Sequence, residues 1–188
     1  MLIYDIEIEN PIPPDNGMLT PGITYSKGWN FPATMGVAVI GVYDYSSDRS
    51  RVFGEFEIED FKTLVNQHDK CVGFNNIGFD NKVLETCDLV IPPTKCYDIL
   101  AEIYSALGSR QKGCKLEDVV KANFPSQAGK TEDGSKIPIL WQQGYKMKVA
   151  DYCLNDVKLT KMILDRIIRC GWINNPINPA DKLRMKRP

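Results

Sequence analysis

The first ten residues, MLIYDIEIEN (1–10), decide the fold, because apolar and polar side chains alternate along most of them. Alternation with a period of two is typical of a β-strand, in which successive side chains point to opposite faces of the sheet. One face carries Leu2, Tyr4, Ile6 and Ile8, and the other carries Asp5, Glu7 and Glu9 together with Ile3. The sequence therefore predicts a strand over 2–9 with one buried face, and the prolines at 11, 13 and 14 end it.

The rest of the chain continues with strand and helix patterns. Four further strands are predicted at 35–45, 51–56, 71–74 and 94–97. Helices are predicted at 59–67, 80–87, 99–107, 116–124 and 148–170, with Gly171 as the stop signal of the last one. This order predicts an α/β fold: a mixed five-stranded sheet, antiparallel over its first three strands and parallel afterwards, flanked by helices. We expect one domain over 1–188 with its core over 2–170, an inserted loop over 10–34, a polar loop over 129–138 and a tail over 171–188.

Composition limits the possible classes of protein. The chain has 188 residues, of which 43% are hydrophobic and 25% are charged, which is ordinary for a soluble domain. No apolar run reaches the length of a membrane span and carboxylates occur by Asp5, so we expect no membrane association and no signal peptide. The scattered cysteines are most simply interpreted as reduced thiols, so we expect a cytoplasmic location. The six cysteines form no CxxC pair and His68 is the one histidine, which argues against a zinc finger.

The net charge of −1 bears on the choice of ligand. A protein that binds long duplexes through phosphate contacts alone is usually basic, so any attraction for nucleic acid must be local, and bound metal ions are one way to supply it. Basic side chains cluster at Arg110, Lys112 and Lys115, at Lys130 and Lys136, and from Lys182 to Arg187. Solvated loops and a solvated tail are the simplest interpretation, with phosphate contact as a second interpretation of 110–115.

Two acids of the first strand, Asp5 and Glu7, share one of its faces. Carboxylates this close repel each other, which raises the pKa of one of them unless a cation lies between them. A solvated strand face is the alternative interpretation.

The last predicted helix places Asp156 inside its apolar arc, next to Cys153, Leu159 and Ile163, with Tyr152 one turn before it. An unpartnered buried carboxylate costs several kcal/mol, roughly, so its presence indicates that it binds something. Pairing with a buried arginine or lysine is the alternative.

Asp80 opens the helix predicted at 80–87, directly after a short strand and its loop. An ordinary N-cap explains this position well, although ligands also collect beyond the carboxyl ends of strands. Taken together, the four acids are the set that a two-metal phosphoryl-transfer site needs, since they offset the charge of two cations roughly 3.5–4 Å apart.

These residues resemble the motifs of the DEDD exonucleases of the ribonuclease H-like superfamily. YDIEIE (4–9) is similar to the first motif, Asp-x-Glu, NIGFD (76–80) to the second, an Asn followed by Phe-Asp, and YCLND (152–156) to the third, Tyr-x-x-x-Asp. The resemblance covers residues 2–170, nearly the whole chain. LWQQGYKMKVADYCLNDVKLT (140–160) is similar to stand-alone and helicase-associated members and to the exonuclease domain of family B DNA polymerases.

The resemblance implies a ribonuclease H-like fold and 3′–5′ exonuclease activity that releases nucleoside 5′-monophosphates, preferentially from single-stranded ends. It implies that two Mg²⁺ or Mn²⁺ ions are held by Asp5, Glu7, Asp80 and Asp156. Tyr152 would orient or help activate the attacking water, and Asn76 and Phe79 would contact the substrate. One branch of the family has a histidine base where Asp151 stands here, so the tyrosine branch fits. DNA is slightly favoured over RNA, and a helicase or polymerase partner would act in trans.

Several points stay open at the level of sequence. Ile8 stands where the first motif often has threonine, which puts contacts to the terminal nucleotide in doubt. Tyr25, Trp29 and Phe31 of the long loop either stack on unpaired bases or pin the loop to the domain, and pinning is the preferred interpretation. Tyr152 is alternatively a packed core residue. A non-catalytic module that binds nucleic acid or a protein, and a structure-specific endonuclease, are the alternative functions.

Overall fold

The computed structural model describes residues 1–127 and 133–188. The strands are β1 (Leu2–Ile8), β2 (Val37–Asp44), β3 (Arg49–Gly54), β4 (Cys71–Gly73), β5 (Cys96–Asp98), β6 (Trp172–Asn174) and β7 (Lys182–Arg184). The helices are α1 (Ile58–Asn66), α2 (Asp80–Glu85), α3 (Ile99–Leu107), α4 (Leu116–Asn123), α5 (Ile137–Gln142) and α6 (Lys146–Cys170). Lys130 and the part of the predicted polar loop over 129–132 lie outside the described residues.

The main sheet has the order β3-β2-β1-β4-β5, which places β1 at its centre. The β1–β2 and β2–β3 pairs are antiparallel, whereas β1–β4 and β4–β5 are parallel. This confirms the predicted α/β class and the mixed five-stranded sheet with an antiparallel unit followed by parallel strands. Parallel strands need crossover connections, and helices α1 and α2 lie in those that lead to β4 and β5.

The two faces of β1 belong to two different layers of the core. Leu2, Tyr4, Ile6 and Ile8 are buried in one cluster with residues of α1 and α2, such as Phe61 and Leu84. Ile3 faces the opposite layer, which contains buried residues of α3, α4 and α6. Full burial of each such side chain is worth about 1.5–3 kcal/mol. A slip of one residue would exchange the two faces of β1, so these apolar residues fix the direction in which Asp5 and Glu7 point.

Helix α6 lies against β1 and β2 at the level of Asp5. Gly41 of β2 is the register partner of Asp5, and its N–H donates to Cys153 Sγ at 3.2 Å. A Cβ atom on Gly41 would lie 2.9 Å from Cys153 Sγ and 3.3 Å from the backbone carbonyl carbon of Cys153. The absence of a side chain at Gly41 therefore lets the helix approach the sheet closely at this point. At its other end α6 stops at Gly171, which has a φ of 74° as the predicted stop signal requires.

Two predictions about the last third of the chain are wrong. The sequence predicts a loop at residues 137 and 138, but they begin α5, where Ile137 is fully buried. Pro138 is tolerated in the first turn because a backbone nitrogen there has no partner within the helix, so the N–H that proline lacks is not missed. The predicted tail over 171–188 contains an antiparallel hairpin of β6 and β7. Ile173, Leu183 and Met185 of this hairpin are buried against α3, α4 and α6, so the segment belongs to the core. The basic residues between them give the segment its tail-like composition.

Among the described residues, no helix combines the length and the apolar character needed to cross a bilayer.

Candidate active site

Acidic side chains from three separate elements lie near one another at the central strand. Asp5 and Glu7 come from β1, Asp80 from the first turn of α2 and Asp156 from the middle of α6. Burial raises the pKa of Asp5 well above its usual range, and the charges of Asp80, Glu7 and Asp156 raise it further. The structure therefore brings the four predicted acids into one electrostatically coupled group.

Glu7 behaves in the same way as Asp5. Burial raises the pKa of Glu7 well above its ordinary value, and the charges of Asp156 and Asp80 act in the same direction. Both side chains are only partly exposed. The solvated strand face considered as an alternative is therefore not what the structure has at these two positions.

Asp80 is tied directly to the strand that carries the other two acids. Its Oδ1 accepts the N–H of Ile6, the residue between Asp5 and Glu7, at 3.2 Å. Asp80 is the first helical residue of α2, and the N-cap position belongs to Phe79, so the N-cap interpretation of Asp80 is wrong. Burial raises the pKa of Asp80 to about 7, although N–H donors including that of Ile6 partly offset this effect. The hydrogen bond to Ile6 fixes the end of α2 beside β1.

Asp156 lies on the sheet-facing side of α6, as its place in the apolar arc predicts. Burial raises the pKa of Asp156 to about 6, and a hydrogen bond from the hydroxyl group of Tyr152 partly offsets the rise. Burial and the neighbouring charge of Asp156 in turn raise the pKa of Tyr152 above its ordinary value of 10. Tyr152 is therefore a protonated hydrogen-bond donor at neutral pH, and it points at the acidic group.

The donor chemistry of this group fits hard divalent cations. In the described ranges 1–127 and 133–188, no salt bridge joins an arginine or lysine to Asp5, Glu7, Asp80 or Asp156. The raised pKa values report the same lack of a compensating positive charge. Carboxylate oxygens are the ligands that Mg²⁺ and Mn²⁺ prefer, so the four acids fit the ions that the resemblance implies.

Cys153, which the sequence predicts to be a core residue, is also a neighbour of the acids. It is fully buried, as expected, but its Sγ also lies 3.6 Å from Asp5 Oδ2. One ligand atom each from Asp5, Glu7 and Cys153 lie within 4.8 Å of one another. Burial and the charge of Asp5 raise the pKa of the Cys153 thiol well above its usual range. A neutral thiol is a poor ligand for a hard cation. The role that the structure supports for Cys153 is therefore its packing contact with Gly41 of β2.

Asp98 is a buried acid that sequence reasoning missed. Its carboxylate accepts the N–H groups of Asn75 and Ile77, both at 3.0 Å, and those of Leu100 and Ala101 at 2.9 and 3.1 Å. It thereby caps α3 and holds the loop that leads to Asp80. An acid between a strand and a helix is a recognisable N-cap signal. That Asp98 also binds the loop of Asn75 and Ile77 depends on a distant segment and leaves no local signal.

The two predicted substrate contacts lie in different surroundings. Asn76 is fully buried, and its Nδ2 donates to the hydroxyl group of Tyr4 at 2.8 Å. In this arrangement Asn76 joins the loop to β1, and its contact with substrate stays a prediction. Phe79 is partly exposed and packs edge to face with Trp29, with ring centroids 5.8 Å apart.

Trp29 stands between two adjoining cavities beside the acids. One cavity, of about 270 Å³, is mainly apolar and is lined by Glu7, Phe79 and Trp29 among others. The other, of about 800 Å³, is lined by Tyr152, Asp156 and the same Trp29. The side chain of Trp29 is 69% exposed. The cavities place an apolar slot directly next to the acidic group.

The loop that carries Trp29 is anchored mainly by a glutamine. Gln142 Nε2 donates to the carbonyl oxygens of Glu9 and Thr24 at 2.9 and 2.7 Å, and its Oε1 accepts the N–H of Thr24 at 2.8 Å. Tyr25 bonds within the loop, to the N–H of Thr20. These polar contacts hold the loop on the domain without the ring of Trp29. The exposed ring is therefore free to contact a ligand beside the acids.

The mixed sheet and its flanking helices define an α/β protein whose architecture is consistent with a ribonuclease H-like fold. Among solved structures, the chain is similar to the family B DNA polymerase from the hyperthermophilic archaeon Pyrobaculum calidifontis, with a TM-score of 0.56 and 18% sequence identity. The similarity covers 89% of this chain and 24% of the polymerase chain, so it concerns a small part of that protein and establishes the fold alone. No protein-family model and no curated protein sequence matches the chain.

Proposed function

We propose that this protein is a metal-dependent 3′–5′ exonuclease. It would hydrolyse terminal phosphodiesters of DNA or RNA, preferentially single-stranded, and release nucleoside 5′-monophosphates. The observation that carries the proposal is the convergence of four coupled carboxyl groups that lack a cationic partner in the described part of the chain. Such a group is unfavourable unless divalent cations compensate it.

Together, the four acids would bind two Mg²⁺ or Mn²⁺ ions. The charges of the other three acids all raise the pKa of Asp5. Asp80 is fixed by the N–H of Ile6, and the neighbouring hydroxyl group of Tyr152 lowers the pKa of Asp156. When bound, two such ions lower the pKa of a water molecule and offset the charge that develops on the phosphate.

Tyr152 would position the attacking water. Burial and the charges of the nearby acids raise the pKa of its hydroxyl group, which favours the protonated form that donates a hydrogen bond. A water that accepts a hydrogen bond from this hydroxyl group would lie beside the acidic group. This role orients the nucleophile and contributes through positioning.

The apolar slot supports a preference for unpaired ends. Phe79 and Trp29 present aromatic surface next to Glu7, and an unstacked base gains about 1–3 kcal/mol from such a partner. Asn76, which holds the preceding loop, would support the substrate site from behind. A slight preference for DNA, a polymerase or helicase partner in trans, and a cytoplasmic location stay predictions.

Linear and circular single strands test the proposal and its alternatives together. The expected result is Mg²⁺- or Mn²⁺-dependent loss of a 3′ label from linear DNA before its 5′ label, release of 5′-monophosphates, and no attack on circles. EDTA and the variant Asp5→Asn should each abolish the reaction. Cleavage of circles would indicate an endonuclease, and metal-independent binding without cleavage would indicate a binding module. Unchanged cleavage by Asp5→Asn would refute the site. DNA and RNA ends assayed in parallel would measure the sugar preference.

A further inference from the structure

The C-terminal segment 166–188 is charged very differently from the rest of the chain. It contains six basic residues and one acidic residue, although the whole chain has a net charge of −1. The remainder is therefore net acidic and repels a polyanion at long range. A protein of this kind needs a local positive surface to hold nucleic acid beyond the atoms at its active site.

The basic residues of this segment are presented by a folded element. The β6–β7 hairpin is held in place by the buried side chains of Ile173 and Leu183, and the hydroxyl group of Tyr97 donates to the carbonyl oxygen of Lys186. Lys182, Arg184 and their neighbours on this hairpin alternate with those buried residues and are exposed. The hairpin therefore presents its cations on one outer surface in a fixed arrangement.

A tryptophan fixes one of these cations. Lys182 Nζ lies 3.8 Å from the ring centre of Trp172, and the guanidinium carbon of Arg166 lies 4.4 Å from the same centre. Both distances are within the range of a cation–π interaction. Trp172 thus holds two positive groups beside a surface depression of about 550 Å³ that Arg184 and Arg187 also line.

Within residues 1–127 and 133–188, the cations of the hairpin have no acidic partner in a salt bridge. Among the described residues, no salt bridge involves Lys182, Arg184, Lys186 or Arg187. In the part of the chain that the structure describes, no carboxylate lines the depression. Like charges held together without counter-charges favour an anionic ligand, and a phosphodiester backbone provides regularly spaced anions that several of them can contact at once.

We infer that the basic hairpin, defined as residues 171–187, is a second binding surface for the phosphate backbone of a nucleic acid strand. This inference rests on the proposed function for the identity of the ligand, but it does not require catalysis. Helix α6 separates the hairpin from the acidic group by about 21 Å between Asp156 and Cys170, at 1.5 Å per residue. This corresponds to about six stacked nucleotides at 3.4 Å each, so very short strands cannot reach both places.

The salt dependence of binding tests the inference. Fluorescence anisotropy with an oligothymidylate of about 20 nucleotides, in EDTA, compares the wild type with Arg184→Gln/Arg187→Gln. If both arginines contact phosphates, the slope of log K against log salt falls by about 1.4, and affinity at about 0.1 M salt falls about 25-fold. The control Arg49→Gln/Lys82→Gln removes the same charge from exposed positions on β3 and α2 and should change affinity less than about 2-fold.

Each result has a defined meaning. The inference would be overturned if the salt slope of the hairpin variant equalled that of the wild type, or if the control variant lost as much affinity as the hairpin variant. It would also be overturned if polyglutamate displaced the labelled strand as well as unlabelled oligothymidylate does. Equal urea midpoints of unfolding exclude a folding defect. The binding measurement is made in EDTA and needs no hydrolysis, so it stays valid if the nuclease proposal is wrong. If the hairpin does not bind nucleic acid, the hydrolysis assay is unaffected.

Discussion

Replacement of Asp80 by asparagine should stabilise the metal-free protein at neutral and alkaline pH. Asp80 is 4% exposed, and its pKa is raised from 3.8 to about 7. A raised folded-state pKa means that the folded protein holds the proton more tightly than the unfolded chain. The stabilising effect is fully present below pH 3.8 and is lost as pH rises to about 7. Asparagine carries no charge at any pH and still accepts the N–H of Ile6, so it avoids this loss.

The size of the effect follows from the same two pKa values. A difference between about 3.8 and about 7 corresponds to at most about 4 kcal/mol of unfolding free energy, and coupling among the four acids makes this an upper limit. For a chain of this length, each kcal/mol shifts the melting temperature by about 2–4 °C, which sets a ceiling of about 8–16 °C.

Thermal unfolding in EDTA at pH 4 and pH 8 measures this effect. The wild type should lose more stability than Asp80→Asn between the two conditions, and the variant should be the more stable protein at pH 8. Mg²⁺ should raise the melting temperature of the wild type at pH 8 and have little effect on the variant. Identical pH dependence in the two proteins, or a less stable variant at pH 8, would refute the argument that uncompensated charge strains this site.

Three further substitutions address the water, the base slot and the C-terminal hairpin. Tyr152→Phe should lower kcat about 10²-fold with little change in KM and in the pH profile, because the hydroxyl group positions the attacking water. A displaced pH optimum would contradict this role. Trp29→Ala should raise KM for single-stranded DNA about 5- to 150-fold, whereas Phe31→Ala, in the same loop, should change it less than about 2-fold. Ile173→Ala should reduce the unfolding free energy by about 2–5 kcal/mol in urea titrations, and no measurable loss would show that residues 171–188 contribute as little as a solvated tail does.

The main sheet could be predicted from the sequence because its information is local. The alternation along 2–9 and the buried run at 35–45 each identify a strand without reference to any other part of the chain. Asp156 was also predictable, because a carboxylate in an apolar helical arc conflicts with the ordinary cost of burial. The convergence of the acids, by contrast, required the resemblance, since no spacing along the chain specifies that α6 lies over β1.

The features that sequence reasoning missed depend on contacts between distant segments. Asp98 binds N–H groups of a loop more than twenty positions before it, and no pattern around Asp98 indicates that partner. The β6–β7 hairpin did leave a signal, since Leu183 and Met185 alternate with basic residues, but three-residue strands are too short for alternation to outweigh composition. Gln142, which anchors the long loop, has no sequence signature at all.

Gly41 has a consequence for how this site can change. The residue carries no functional group, yet the contact it permits between β2 and α6 sets how near Asp156 comes to Asp5. A single added methyl group there would move the helix outward by a few tenths of an ångström or more and widen the gap between the acids. Two cations that share ligands tolerate little variation in their separation. The tolerance of this site to mutation is therefore governed in part by a glycine on the neighbouring strand, which a comparison restricted to acidic motifs would overlook.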